Sequence, residues 1–128
     1  MNKKKRILVV DDNSDFLNLV RRRLESTGYQ VVTAQDGKEA LRAMENSRPD
    51  AVLLDIMMPR MSGLELLKKI RKSDKKLPIF MLTGLTQEEP FRLARRFKAS
   101  GFITKTKDLK QEIRNITAAL GLSPKYRP

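Results

Sequence analysis

The residues best suited to chemistry stand at the ends of short apolar runs. Asp11 and Asp12 follow the run at 7–10, and Asp55 follows the run at 51–54. Thr83 follows the run at 79–82, and Thr104-Lys105 follow a weaker pair at 102–103. If the runs are neighbouring strands, three carboxylates, a hydroxyl and an ammonium converge on one edge of a sheet. A carboxylate can serve as a nucleophile, and carboxylates packed together repel one another unless a cation intervenes. Other chemistries are excluded. The 128 residues include neither cysteine nor histidine, so thiolate metal sites, disulfides, a cysteine nucleophile and a Ser-His-Asp triad are all ruled out.

The elements that must position these groups are legible from periodicity. The runs at 7–10, 31–32, 51–54 and 79–82 are short, continuous and rich in Val, Ile and Leu, as expected of strands buried on both faces of a parallel sheet. Between them lie helical stripes: Phe16, Val20 and Leu24; Ala40, Leu41 and Met44; Leu64, Leu67 and Ile70; Phe91, Ala94 and Phe97; Leu109, Ile113, Ile116 and Leu120. Asn13 or Ser14 can cap the first helix, with Gly28 beyond its end, and Ser62 can cap the third. The second helix must stop before Pro49. Pro90 suits a first turn, and Gly121 is expected to close the last helix. Five strands alternating with five helices make a doubly wound α/β domain. We expect one domain over residues 5–121, with 122–128 as a tail or linker stub.

Charge is the unusual feature. Lys and Arg number 27 against 15 Asp and Glu, a formal net charge of +12. Such a balance favours anionic partners without bearing on fold. Residues 91–114 hold eight Lys or Arg against Asp108 and Glu112. An acidic protein surface steered by electrostatics is the expected partner. Basic runs are not interleaved with stacking rings, so nucleic-acid binding through this domain should be weak and sequence-blind. The apolar run behind the basic start is too short for a signal peptide or a membrane span, which makes the cytoplasm the expected location.

Four segments together give the chain a family resemblance: Val9-Val10-Asp11-Asp12-Asn13, Leu54-Asp55-Ile56-Met57-Met58-Pro59-Arg60-Met61-Ser62-Gly63, Leu82-Thr83-Gly84 and Phe102-Ile103-Thr104-Lys105. The sequence resembles the receiver domain of two-component response regulators, the CheY-like group of flavodoxin-like folds, over nearly its whole length. The resemblance implies a five-stranded parallel sheet in the order 2-1-3-4-5. It implies that Asp55 is the phosphoacceptor for a histidine kinase or phosphotransfer protein. Mg²⁺ would be held by Asp12, Asp55 and the backbone carbonyl of Met57, with Asp11 acting through water. Thr83 and Lys105 would bind the phosphoryl group, and Thr83 and Phe102 occupy the switch positions. The domain would assist its own phosphorylation and dephosphorylation without being a turnover enzyme.

Each assignment has a plainer rival. Asp11 and Asp12 could cap the first helix, the methionine side chains could be core filler, and Thr83 and Lys105 could be ordinary strand and surface residues. Phe102 fits simple packing as well as it fits a switch. Three departures from the family pattern stand out. Thr106 replaces the usual proline after Lys105, Phe102 replaces a tyrosine and lacks its hydroxyl, and Ser100-Gly101 stand where acidic residues serve dimer salt bridges. A phosphorylation-independent interaction module is therefore the main alternative. A flavin protein of similar topology is disfavoured, because two aspartates after strand one would repel a phosphate.

Overall fold

The computed structural model describes residues 5–58, 61–84, 88–104 and 108–122, without the side chains of residues 88, 89, 109, 112, 113, 121 and 122. Strands and helices alternate throughout: β1 (Arg6–Val10), α1 (Ser14–Ser26), β2 (Gln30–Ala34), α2 (Gly37–Asn46), β3 (Ala51–Asp55), α3 (Gly63–Ser73), β4 (Ile79–Thr83), α4 (Glu88–Arg96), β5 (Gly101–Thr104) and α5 (Leu109–Leu122). The sheet runs β2-β1-β3-β4-β5, and every neighbouring pair is parallel. This is the order that the resemblance implied.

The pleat sorts side chains into two cores. Leu8 and Val10 of β1, with Val52 and Leu54 of β3, join Ala40, Leu66, Leu67, Ile70 and Ala94 from α2, α3 and α4. Ile7, Val9, Ala51 and Leu53 face the other way and join Phe16, Val20, Leu24, Ile116 and Leu120 from α1 and α5. Period-two alternation with apolar residues on both faces produces the unbroken runs seen in the sequence. Every residue of β3 is buried. Truncating a leucine there costs about 2–5 kcal/mol, a large share of the ~5–15 kcal/mol that holds a domain together.

Local signals set the helix ends. Asn13, rather than Ser14, caps α1, its side chain accepting from the Asp15 and Phe16 amides. Asp36 caps α2 by accepting from the Glu39 amide, while the Glu39 carboxylate accepts from the Gln35 amide. Ser62 caps α3 through the Glu65 amide. Gly28 follows α1 at φ +102°, where a side chain would be strained. Gly121 does not close the last helix: α5 continues to Leu122, one residue into the segment expected as tail. A glycine in a terminal turn costs at most about 1 kcal/mol, too little to set the end by itself. On α3, Leu66 is fully buried and Leu64 only half-buried, so the core stripe is Leu66, Leu67 and Ile70.

Candidate metal and phosphoacceptor site

Three adjacent strands, β1, β3 and β4, end side by side. The pairs Val10 with Leu54 and Asp55 with Leu82 put the carboxyl ends of these strands level. Asp11 and Asp55 are buried, at 1% and 6% exposure, and Thr83 is buried beside them in the sheet at 2%. Asp12 is exposed. Carboxylate oxygens of Asp11, Asp12 and Asp55 lie within 4.8 Å of one another. A strand end is where such residues can meet, because the chain leaves the sheet there and the polar ends of parallel strands face one crevice.

Backbone groups orient the two buried carboxylates. Asp11 accepts from the Asn13 amide at 2.9 Å, and Asp55 accepts from the Met57 amide at 3.3 Å. Asn13 therefore serves twice: its amide holds Asp11 while its side chain caps α1. The backbone at Asp55 is fixed from the other side by α3. The Gly63 amide donates to the Ile56 carbonyl at 2.9 Å, and a Cβ on Gly63 would collide with the Asp55 carbonyl oxygen. Gly63 is thus a glycine because helix and strand backbones touch. This supporting role was not read from the sequence, although the glycine was visible in the motif.

The remaining expected residues are distributed around this centre. Met57 is 60% exposed, so its side chain is not core filler, whereas Met58 is buried and Met61 half-buried in the α2–α4 core. Phe102 lies half-buried in β5, its ring 4.8 Å from that of Phe91 on α4. The Arg95 guanidinium sits over the Phe102 ring, 5.9 Å from its centroid. Thr104 ends β5 opposite Thr83 and is exposed. Lys105, Thr106, Pro59 and Arg60 lie outside the described residues.

The donor set suits one kind of ion. Three carboxylates offer only hard oxygen ligands, two from the buried floor and one from the rim. Carboxylate oxygens within 4.8 Å of one another are close enough for a hard divalent cation to be held by some of them directly and by others through its waters. The chain has neither the thiolates nor the imidazoles that favour zinc or copper.

A parallel five-stranded sheet in this order, with three carboxylates and a threonine across its carboxyl edge, defines a receiver-type signalling module. The chain belongs to the response regulator receiver domain family, whose model matches residues 7–117. It is 42% identical over 105 residues to the alkaline phosphatase synthesis transcriptional regulatory protein PhoP of Bacillus subtilis, covering 82% of this chain and 43% of that one. It is 53% identical over 79 residues to the response regulator MprA of Mycobacterium sp. strain KMS, covering 62% of this chain and 34% of that one. The chain thus spans less than half the length of these curated relatives. Among solved structures, the chemotaxis protein CheY4 of Vibrio cholerae superposes with a TM-score of 0.83 at 32% identity, covering 92% of this chain and all of that one. The phosphorylated cyanobacterial phytochrome response regulator RcpA gives 0.85 at 27% identity, covering 93% of each chain.

Proposed function

We propose that this receiver domain accepts a phosphoryl group on Asp55, with Mg²⁺ held by the acidic cluster. The observation that carries the reading is the burial of Asp55 at the end of β3, its carboxylate within 4.8 Å of those of Asp11 and Asp12. An Asp55 carboxylate oxygen attacks the phosphorus of a donor phosphohistidine, the P–N bond breaks, and the imidazole leaves. The product is an acyl phosphate. When held there, Mg²⁺ would supply positive charge to offset the carboxylates and the phosphoryl oxygens. Asp12, Asp55 and the Met57 carbonyl are its proposed ligands, with Asp11 acting through water.

The protein's own groups do the rest. The Met57 amide orients Asp55, and the Asn13 amide fixes Asp11. Thr83 offers a hydroxyl to the new phosphoryl group, and Lys105 a second cation. The phosphoryl group then biases a two-state equilibrium through Thr83 and Phe102. We assign the phosphoacceptor unit to residues 5–121. Its donor is a histidine kinase or phosphotransfer protein, its output an acidic partner surface or a fused domain, and its location the cytoplasm. Among the described residues, no helix is long and apolar enough to cross a membrane. The domain shapes its own transfer and hydrolysis and is not a turnover enzyme.

The test is intact-mass spectrometry after acetyl phosphate and Mg²⁺. Wild type gains one phosphoryl mass and Asp55→Asn gains none while staying folded. A full adduct on the variant would remove the assignment. No adduct on either protein would favour the phosphorylation-independent module, which Thr106 after Lys105 also supports.

A further inference from the structure

The positive charge is not evenly spread over the helices. α1 sets Arg21, Arg22 and Arg23 against Asp15 and Glu25, and α2 balances Lys38 and Arg42 with Glu39 and Glu45. Residues 63–76 and 88–98 together hold ten Lys or Arg against four acids, half of the chain's excess of +12. Two of those acids, Glu88 and Glu89, stand at the start of α4, whereas Arg95, Arg96 and Lys98 stand at its end. A third, Asp74, is paired with Arg48 at 3.2 Å.

The structure joins these ends into one surface. Arg71 of α3 donates to the Lys98 carbonyl at 2.9 Å, to the Asp74 carbonyl at 3.2 Å and to the Ser100 hydroxyl at 3.3 Å. It acts as an internal rivet between the two helix ends. Lys98 follows α4 in the left-handed region at φ 69° and is exposed, as are Lys68, Lys69, Lys72, Lys75, Lys76, Arg95 and Arg96. The Lys68 ammonium lies over the half-buried Phe97 ring, 5.5 Å from its centroid.

We propose that the C-terminal ends of α3 and α4 form a docking surface for an acidic protein segment that also carries apolar side chains. Carboxylates would meet the lysine tips by complementary charge, and an apolar side chain would cover Phe97 beside Lys68. A second copy of this chain does not fit, because a symmetric contact would set like charges face to face. Nucleic acid fits less well. Both helices present their carbonyl ends here, and dense phosphate prefers helix N-termini. The surface also lies at the strand-start end of the sheet, near Ile79 and Gly101, away from Asp55. Docking there is therefore independent of the phosphoacceptor reading.

The experiment uses the full chain, ¹⁵N-labelled and without phosphodonor, titrated with an amphipathic Glu/Leu peptide, random-sequence duplex DNA and anionic vesicles. The peptide should shift amide signals at 68–76 and 95–100 and bind most tightly. Lys68→Glu with Lys72→Glu should weaken it about tenfold or more, as expected for losing complementary charge. Arg22→Glu with Arg23→Glu removes the same charge from α1 and should leave the affinity nearly unchanged. Thermal melts of both double variants confirm that these exposed changes leave the fold intact. Equal loss for both pairs, shifts scattered over the whole surface, or tighter binding of DNA or vesicles would each overturn the proposal.

Discussion

Gly63→Ala tests whether the contact between α3 and β3 positions Asp55, the proposed phosphoacceptor. The new methyl would fall on the Asp55 carbonyl oxygen, 2.8 Å from the carbonyl carbon and 2.9 Å from the Ile56 Cα. All of these are backbone atoms, so no rotamer change relieves the clash, and α3 must retreat. Alanine in place of glycine returns up to about 1 kcal/mol of helix propensity. Overpacking costs typically ~1–3 kcal/mol, and a clash with fixed backbone lies at the upper end, so a net loss of about 2 kcal/mol is expected. The effect on chemistry should be larger than that on stability. Retreat of α3 also breaks the bond from the Gly63 amide to Ile56 and frees the residue next to Asp55. Misplacement of a reacting group by ~1 Å can cost about a hundredfold in rate. Urea denaturation gives the first quantity, and the rate of acetyl phosphate labelling followed by intact mass gives the second. Gly28→Ala is the control, because nothing lies within 4 Å of its added Cβ and only its φ of +102° opposes the change. That variant should lose about 1–2 kcal/mol and label at the normal rate. If Gly63→Ala proved as stable as wild type and labelled equally fast, the positioning argument would fail.

Two further outcomes follow from the geometry. If the folded cluster holds Mg²⁺ as proposed and the unfolded chain does not, millimolar Mg²⁺ should raise the melting temperature; Asp12→Ala should remove most of the shift and Asp11→Ala part of it, by calorimetry. Burial pushes the Asp74 carboxyl up, but the Lys76 amide, Arg48 and the Leu77 amide outweigh it and hold the pKa below its ordinary value. Its stabilising contribution should therefore be complete above the unfolded-state pKa and fade as pH falls through the lower folded-state value. Urea midpoints of wild type and Asp74→Asn should converge in acid, and a constant gap would contradict this.

How much the sequence reveals depends on whether a constraint is periodic. β1, β3 and β4 are legible because burial on both faces leaves continuous apolar runs, and Asp11 just after β1, with Asp55 and Thr83 at the ends of β3 and β4, reach one crevice. β2 extends beyond Val31 and Val32 to Gln30–Ala34 because pairing with β1 continues past the apolar pair. Backbone approach has no periodicity, so the reason for Gly63 stayed hidden. Charge was legible as a total but not in its placement. The sequence put the basic weight on 91–114, whereas the folded chain brings α3's lysines against the end of α4. Ser62 caps α3 as its residue type suggests, Asn13 is the one of two adjacent candidates that caps α1, and α5 runs past the glycine expected to end it.

The meeting of distant strand ends at one acidic edge bears on the order of folding. Asp11, Asp55 and Thr83 are far apart in the chain and meet only after β1, β3 and β4 have paired, the first pairing closing a loop that holds α1, β2 and α2 and the second a loop that holds α3. The acidic edge is therefore a kinetic reporter. A cation that binds only the finished edge slows unfolding and leaves the refolding rate untouched, whereas one that binds an edge already present in the transition state speeds refolding. Chevron plots of the wild-type chain with and without Mg²⁺ show whether the edge formed by the ends of β1 and β3 is present at the barrier.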